Sequence, residues 1–173
     1  MSKLIHLTRH AQSEFNAYGG NTLDCGITEK GQEQARTQLV GGNYDLVIVS
    51  TLKRTRLTLK NSQLTYRDWI VLDICREMKD SHCDYLPGEL MEKKETKEEV
   101  TGRVKQFKIK LLELSQNYSR ILVICHGVFG WYLTGHLLHN CELMDITSFI
   151  IPEPQFAQEP KEEKEEKEIE ELE

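Results

Sequence analysis

Two arginines, two histidines and a glutamate stand out as side chains that could act together on an anion. Arg9 and His10 follow the first apolar run of the chain, Arg54 follows the second, Glu77 the third and His126 the fourth. A guanidinium or an imidazole is costly to bury without a partner. Each of these polar side chains at the end of an apolar run therefore needs an explanation. Each residue taken singly could have an ordinary structural role. Their recurrence at successive run ends indicates one site instead.

The chemistry that fits these residue types is phosphoryl transfer. Two fork-shaped guanidiniums match the equatorial oxygens of a phosphoryl group, where charge is spread in the transition state. A neutral histidine can attack phosphorus if one ring nitrogen donates to a fixed acceptor and the other keeps its lone pair. The leaving alcohol then needs a proton, which a carboxylic acid such as Glu77 could donate.

The elements that must position these residues are alternating strands and helices. Short apolar runs predict strands at residues 3–8, 45–50, 69–72 and 120–125, with a weaker one at 146–151. Helical patterns lie between them, near residues 28–41, 52–65, 96–116 and 128–140. This alternation predicts an α/β fold, a three-layer αβα sandwich with a largely parallel central sheet. Ligands of such sheets bind beyond the carboxyl ends of the strands, where the polar residues fall.

Length and charge indicate one domain followed by a tail. A chain of 173 residues is long enough for one sizeable core. We predict a catalytic domain over residues 1–152 and an acidic, Glu/Lys-rich tail over 153–173 that is helical or disordered. The net charge of −6 resides entirely in residues 158–173. The body is neutral and has no basic stripe, which disfavours nucleic-acid binding.

The cysteines and apolar runs bear on the cellular compartment. Five cysteines without paired spacing predict reduced thiols, and none is followed six positions later by the arginine of a cysteine-phosphatase loop. No apolar run approaches the roughly 18 residues that a membrane span requires. We therefore expect a cytoplasmic protein that does not associate with membranes.

Five segments together resemble the histidine phosphatase superfamily, also called phosphoglycerate-mutase-like. The stretch TRHAQSEFN at 8–16 is similar to the family's Arg-His-Gly signature, and ITEKGQEQA at 27–35 to its Leu-Thr-x-x-Gly-x-x-Gln-Ala segment. VSTLKRTRLT at 49–58, CREM at 75–78 and VICHG at 123–127 resemble the family's Ser-x-Leu-x-Arg, Arg-Glu and second His-Gly motifs. The resemblance covers about residues 3–150. Ala11 stands where the family usually has glycine, Thr51 where proline is common and Leu57 where glutamine is common.

The resemblance implies hydrolysis of a small phosphorylated substrate in two steps, with no metal or cofactor. His10 would be the nucleophile that becomes phosphorylated. Glu77 would donate a proton to the leaving group and then act as base for water. The phosphoryl group would be held by four side chains, those of Arg9, Asn16, Arg54 and His126.

Several alternatives remain open from the sequence. Asp80, three residues beyond Glu77, is a second candidate for the proton donor. A mutase would use the same His10 but return the phosphoryl group to its substrate, although the loop at 76–95 is short for the insertions that mutases carry. A non-catalytic module that binds a phosphorylated ligand is a further alternative, disfavoured by the intact set of polar residues.

A metal site is another alternative. It could use His6 with His10, or His136 and His139 with Cys141. The first pair would place His6 inside the sheet, and the second would lie on an amphipathic helix where core or surface roles are commoner. We predict that neither set binds a metal.

Overall fold

The computed structural model describes residues 2–91 and 93–152, and the predicted tail at 153–173 lies outside them. In this described part of the chain, five strands form one sheet in the order β3-β2-β4-β1-β5. They are β1 (Leu4–Arg9), β2 (Val40–Val49), β3 (Gln63–Val71), β4 (Arg120–Cys125) and β5 (Leu143–Asp145). The first four are parallel and β5 is antiparallel to β1. The predicted α/β fold is thereby confirmed.

Within the described residues, six helices connect and cover the strands. They are α1 (Glu14–Tyr18), α2 (Glu29–Gln38), α3 (Lys53–Asn61), α4 (Lys97–Leu114), α5 (Gly127–Thr134) and α6 (Thr147–Ile150). Two 3-10 turns, at Asp73–Cys75 and His82–Asp84, lie in the long connection between β3 and α4. Among the described residues, no helix is long and apolar enough to span a membrane.

Successive residues of the central strands face opposite sides of the sheet, which produces two cores. Leu46 and Ile48 of β2 face a core that α4 and α5 complete with Phe107 and Phe129, whose rings meet edge to face at 5.4 Å. The alternate residues of β2 and β4 face a second core that includes Leu59 of α3. Helices on both faces explain why the central strands are continuously apolar instead of alternating.

Several predicted boundaries are wrong for local reasons. The helix predicted to 140 ends at Thr134, because Gly135 takes a left-handed conformation (φ 76°) that terminates it. The helix predicted at 52–65 is shorter, and β3 begins at Gln63. The strand predicted at 146–151 does not form. Instead β5 precedes it, and Thr147 begins α6 with its amide bonded to the carboxylate of Asp145.

The turn after β1 is held tightly between α2 and α3. Ala11 donates its amide to Thr58 Oγ1 of α3 at 2.9 Å. On the other side, a side chain at Gly31 of α2 would clash with the carbonyl oxygen of Gln12. Glycine at 31 therefore lets α2 approach the backbone that follows His10. The five cysteines are buried and none forms a disulfide.

Candidate active site

The ends of β1 and β4 bring the two histidines together. The strands are paired so that Arg9 lies opposite Cys125, and the amide of His10 donates to the carbonyl of Cys125 at 2.9 Å. His10 and His126 are the residues that follow each strand, and their ring centroids are 5.2 Å apart. The parallel register thus places two imidazoles side by side at the carboxyl edge of the sheet.

His10 is held as a neutral imidazole with a defined tautomer. Its Nδ1 lies 2.7 Å from the carbonyl oxygen of Ala11, which can only accept, so Nδ1 carries the proton. Nε2 therefore keeps its lone pair, and Arg54 Nε donates to it at 3.3 Å. Burial, followed by the charge of Arg54, lowers the pKa of His10 well below its usual value. The ring is therefore neutral, and its Nε2 is the nitrogen that carries a lone pair.

Arg54 reaches the site from the first turn of α3 and is 2% exposed. Its Nη1 donates to the carbonyl of Cys83 at 2.6 Å, and its Nη2 to Asp84 Oδ1 at 2.9 Å. Asp84 is not among the site residues predicted from the sequence. The only signal for it was the spacing of Ser81 and Asp84, which is typical of a helix start and indeed forms a capping box.

Arg9 lies on the other side of His10. Its Nη1 donates to the carbonyl of Leu138 at 3.1 Å, whereas its buried Nε has no hydrogen-bond partner among the described residues. A Cβ atom on Gly127 would lie 3.2 Å from Arg9 Cζ. The glycine of the VICHG segment therefore makes room for this guanidinium.

His126 is fully buried between the strand end and α3. Its Nε2 lies 2.7 Å from Ser50 Oγ, and its buried Nδ1 has no partner within the residues that the structure describes. Thr55 donates its own hydroxyl proton to the carbonyl of Leu52 at 2.9 Å, which leaves the Ser50 hydroxyl free to donate to Nε2. When Ser50 donates to Nε2, Nδ1 carries the ring proton. Burial also lowers the pKa of His126 well below its usual value.

Glu77 is anchored at the start of α5. Its two carboxylate oxygens accept from the amides of Val128 at 3.1 Å and Phe129 at 2.8 Å, and Oε1 also accepts from Met78. Burial raises the pKa of Glu77, and the charge of Asp84 acts in the same direction, while the backbone donors oppose them. The carboxyl group therefore keeps a proton to higher pH than an exposed glutamate does.

The other predicted residues are less enclosed. Asn16 is exposed, and its Oδ1 accepts from the amide of Ser13 at 3.1 Å, which closes the capping box of α1. Asp80 is exposed and forms an ion pair with Lys94 at 2.6 Å. The Asp80 carboxylate is thus paired with a lysine at the surface, whereas the Glu77 carboxylate accepts from the amides of α5.

One cavity of about 370 Å³ joins these groups. Its polar wall contains Arg9, His10, Asn16, Arg54, Glu77, Asp80 and Asp84. Phe15, Met78 and Val128 supply an apolar part of the wall. The ring of His126 lies next to that of His10, with the two ring centroids 5.2 Å apart. The structure thus brings together the residues that the sequence placed at four separate strand ends.

The described residues do not assemble the alternative metal sites. Within 2–91 and 93–152, no group of three or more His, Cys, Asp or Glu side chains could hold a metal ion. His136 pairs with Glu142 at 3.1 Å, and His6 Nδ1 lies 2.7 Å from the hydroxyl of Tyr44. The first of these pairs is on a surface loop beyond α5, and the second is part of the sheet.

Comparison with known proteins gives one family and a set of similar folds. The profile of the histidine phosphatase superfamily (branch 1) matches residues 5–156. The α-ribazole phosphatase of Shigella flexneri is 21% identical, with a TM-score of 0.60 over 81% of this chain and 88% of that one. The phosphoserine phosphatase of Entamoeba histolytica, in complex with 3-phosphoglyceric acid, is 20% identical, with a TM-score of 0.56 over 82% of this chain and 88% of that one. No curated protein sequence matches the chain. At these identities, the two structures show a shared fold.

Proposed function

Because this chain belongs to the histidine phosphatase superfamily, we propose that it hydrolyses a small phosphomonoester through a phosphohistidine at His10. The observation that supports this most directly is a pair of buried nitrogens, Arg9 Nε and His126 Nδ1, for which the described part of the chain supplies no hydrogen-bond partner. A buried donor costs free energy unless it meets an acceptor. A phosphoryl group beside His10 supplies oxygens for both.

In the first step, His10 Nε2 attacks phosphorus and the bond between phosphorus and the alcohol oxygen breaks. An incoming phosphoryl oxygen accepts the Arg54 Nε–H in place of His10 Nε2 while the guanidinium keeps its orientation, which releases the lone pair for attack. Arg9, Arg54 and His126 Nδ1–H then stabilise the charge on the equatorial oxygens. Asn16, at the cavity mouth, contributes a further amide donor.

Glu77 supplies the proton that the leaving alcohol needs. In the second step, the same carboxylate removes a proton from water, which attacks the phosphohistidine and releases inorganic phosphate. Glu77 is suited to this exchange because burial raises its pKa while the α5 amides stabilise its ionised form. The cavity of about 370 Å³ indicates a small substrate. The similar structures include an α-ribazole phosphatase and a phosphoserine phosphatase, and this chain acts on a substrate of the same general class.

The proton donor is tested by changing the leaving group. We expect Glu77→Gln to slow phosphohistidine formation from an alkyl phosphate such as glycerol 3-phosphate by roughly 10²- to 10⁴-fold. The same variant should slow phosphohistidine formation from p-nitrophenyl phosphate by much less, because the p-nitrophenolate leaves without needing a proton. Rapid-quench measurement of the phosphorylated enzyme gives both rates.

Asp80→Asn is the matched control for Glu77→Gln. It removes a carboxylate three positions away that lines the same cavity but is exposed and paired with Lys94. Its rates with the two substrates should fall by a similar, small factor. If Asp80→Asn shows the dependence on leaving group and Glu77→Gln does not, Asp80 is the proton donor.

A further inference from the structure

Asp84 is a buried carboxylate in the wall of a cavity built for an anion. It is 5% exposed and lines the same cavity as His10. A negative charge there opposes phosphate binding, so its presence needs a reason. Its Oδ1 accepts from Arg54 Nη2 at 2.9 Å, and its Oδ2 from the amide of Ser81 at 3.0 Å.

The loop that carries Asp84 is itself fixed. The carboxylate closes the capping box of the short turn that Ser81 begins. The carbonyl of Asp84 accepts from Arg76 Nη2 at 3.1 Å, and the same guanidinium is held by Glu89 at 2.8 and 2.9 Å. Asp84 is therefore a rigid acceptor, because both its side chain and its backbone are engaged.

This rigid acceptor determines where the Arg54 guanidinium points. The group is planar, so two bonds to fixed acceptors set the direction of its remaining donors. The carbonyl of Cys83 at 2.6 Å and Asp84 at 2.9 Å supply these two bonds. The third nitrogen, Nε, is thereby directed at His10 Nε2, 3.3 Å away.

We propose that Asp84 is a positioning residue that holds Arg54 against the nucleophile before substrate binds. It acts through Arg54 and does not touch the reacting atoms. The ion pair fixes the guanidinium in advance, so the reorganisation that would otherwise accompany charge development in the transition state is avoided. This inference rests on the proposed function, since it assigns the residue that prepares the same site.

A double-mutant cycle tests this proposal, because a residue that acts through Arg54 loses its effect when Arg54 is absent. Asp84→Asn keeps the shape and one acceptor oxygen but removes the charge. We expect it to lower kcat for p-nitrophenyl phosphate by roughly 10- to 100-fold in the otherwise wild-type protein, as for one lost partner of a buried charge pair. In an Arg54→Met background, the same change should lower kcat by less than about threefold.

Asp73→Asn is the matched control. It removes a carboxylate that also pairs with an arginine in this connection, Arg76 at 3.3 Å, but that is 68% exposed. Its kcat should remain close to that of the wild type. If Asp84→Asn alone fails to fold, the double variant buries no unpaired charge, and its comparison with Arg54→Met still decides the question.

A loss of tenfold or more on adding Asp84→Asn to Arg54→Met would overturn the proposal, because Asp84 would then act independently of Arg54. Wild-type protein that hydrolyses no phosphomonoester contradicts the proposed function instead. In that event, the dissociation constant for inorganic phosphate, measured over the same four proteins, tests Asp84 separately. If the effects of Asp84→Asn and Arg54→Met on this dissociation constant are coupled, the positioning role is supported. If the two effects are independent, it is contradicted.

Discussion

His10→Ala is expected to abolish turnover of every phosphomonoester that the wild-type protein hydrolyses. The covalent route depends on the lone pair of Nε2, which the bond from Nδ1 to the Ala11 carbonyl creates. His126 is the nearest imidazole but cannot replace it, because its Nε2 is bound to Ser50. We expect kcat for p-nitrophenyl phosphate to fall by roughly 10⁴-fold or more, as for other enzymes that lose their nucleophile.

The fold should tolerate this change, because His10 lies beyond the end of β1 and lines the cavity. Circular dichroism and the melting temperature should therefore stay near their wild-type values. His136→Ala is the matched control, since it removes an exposed imidazole that pairs with Glu142. It should leave kcat unchanged. A His10→Ala protein that keeps a tenth of the wild-type activity would contradict the assignment.

Loss of the Arg54 guanidinium should have the second-largest effect. Arg54→Met removes a donor that is 2% exposed and within 3.3 Å of the nucleophilic nitrogen. Removing one such preorganised donor costs about 10²- to 10³-fold in kcat, since a desolvated charge is worth far more than an exposed one. Arg54→Lys should restore little, because an ammonium cannot bond Asp84, the Cys83 carbonyl and a phosphoryl oxygen in one plane. Steady-state kinetics with p-nitrophenyl phosphate measure both variants.

Arg56 provides the matched control on the same helix. It is exposed and donates to the carbonyl of Thr51, away from the cavity. Arg56→Met should keep kcat within a factor of about two, as surface changes usually do. Equal losses from Arg54→Met and Arg56→Met would mean that the two arginines act on the stability of α3 and not on the phosphoryl group.

The sequence was sufficient to predict the layers of the fold. Continuous apolar runs such as Val47–Val49 and Ile121–Ile124 are typical of strands covered on both faces, and the parallel sheet follows from the helices between them. The positions of the polar residues at the strand ends then predicted which side chains meet. These features depend on local pattern, which a single sequence displays.

The parts that sequence analysis missed depend on contacts between distant segments. Nothing in the residues around Asp84 indicates that it meets Arg54, thirty positions earlier in the chain. Ser50 likewise follows a strand as an ordinary polar residue, and only the fold brings it to His126. The last strand was predicted too late in the chain, because the apolar run after Asp145 forms the short helix α6, whose first residue, Thr147, donates its amide to the Asp145 carboxylate.

If His10 carries the phosphoryl group between the two steps, the phosphorylated protein can be trapped. Wild-type protein mixed with p-nitrophenyl phosphate and quenched in alkali should carry one phosphoryl group that is stable in base and labile in acid. Peptide mapping by mass spectrometry at alkaline pH should place it on His10. Phosphate on any other residue, or steady turnover by wild-type protein with His10 unmodified throughout, would show that His10 is not the nucleophile.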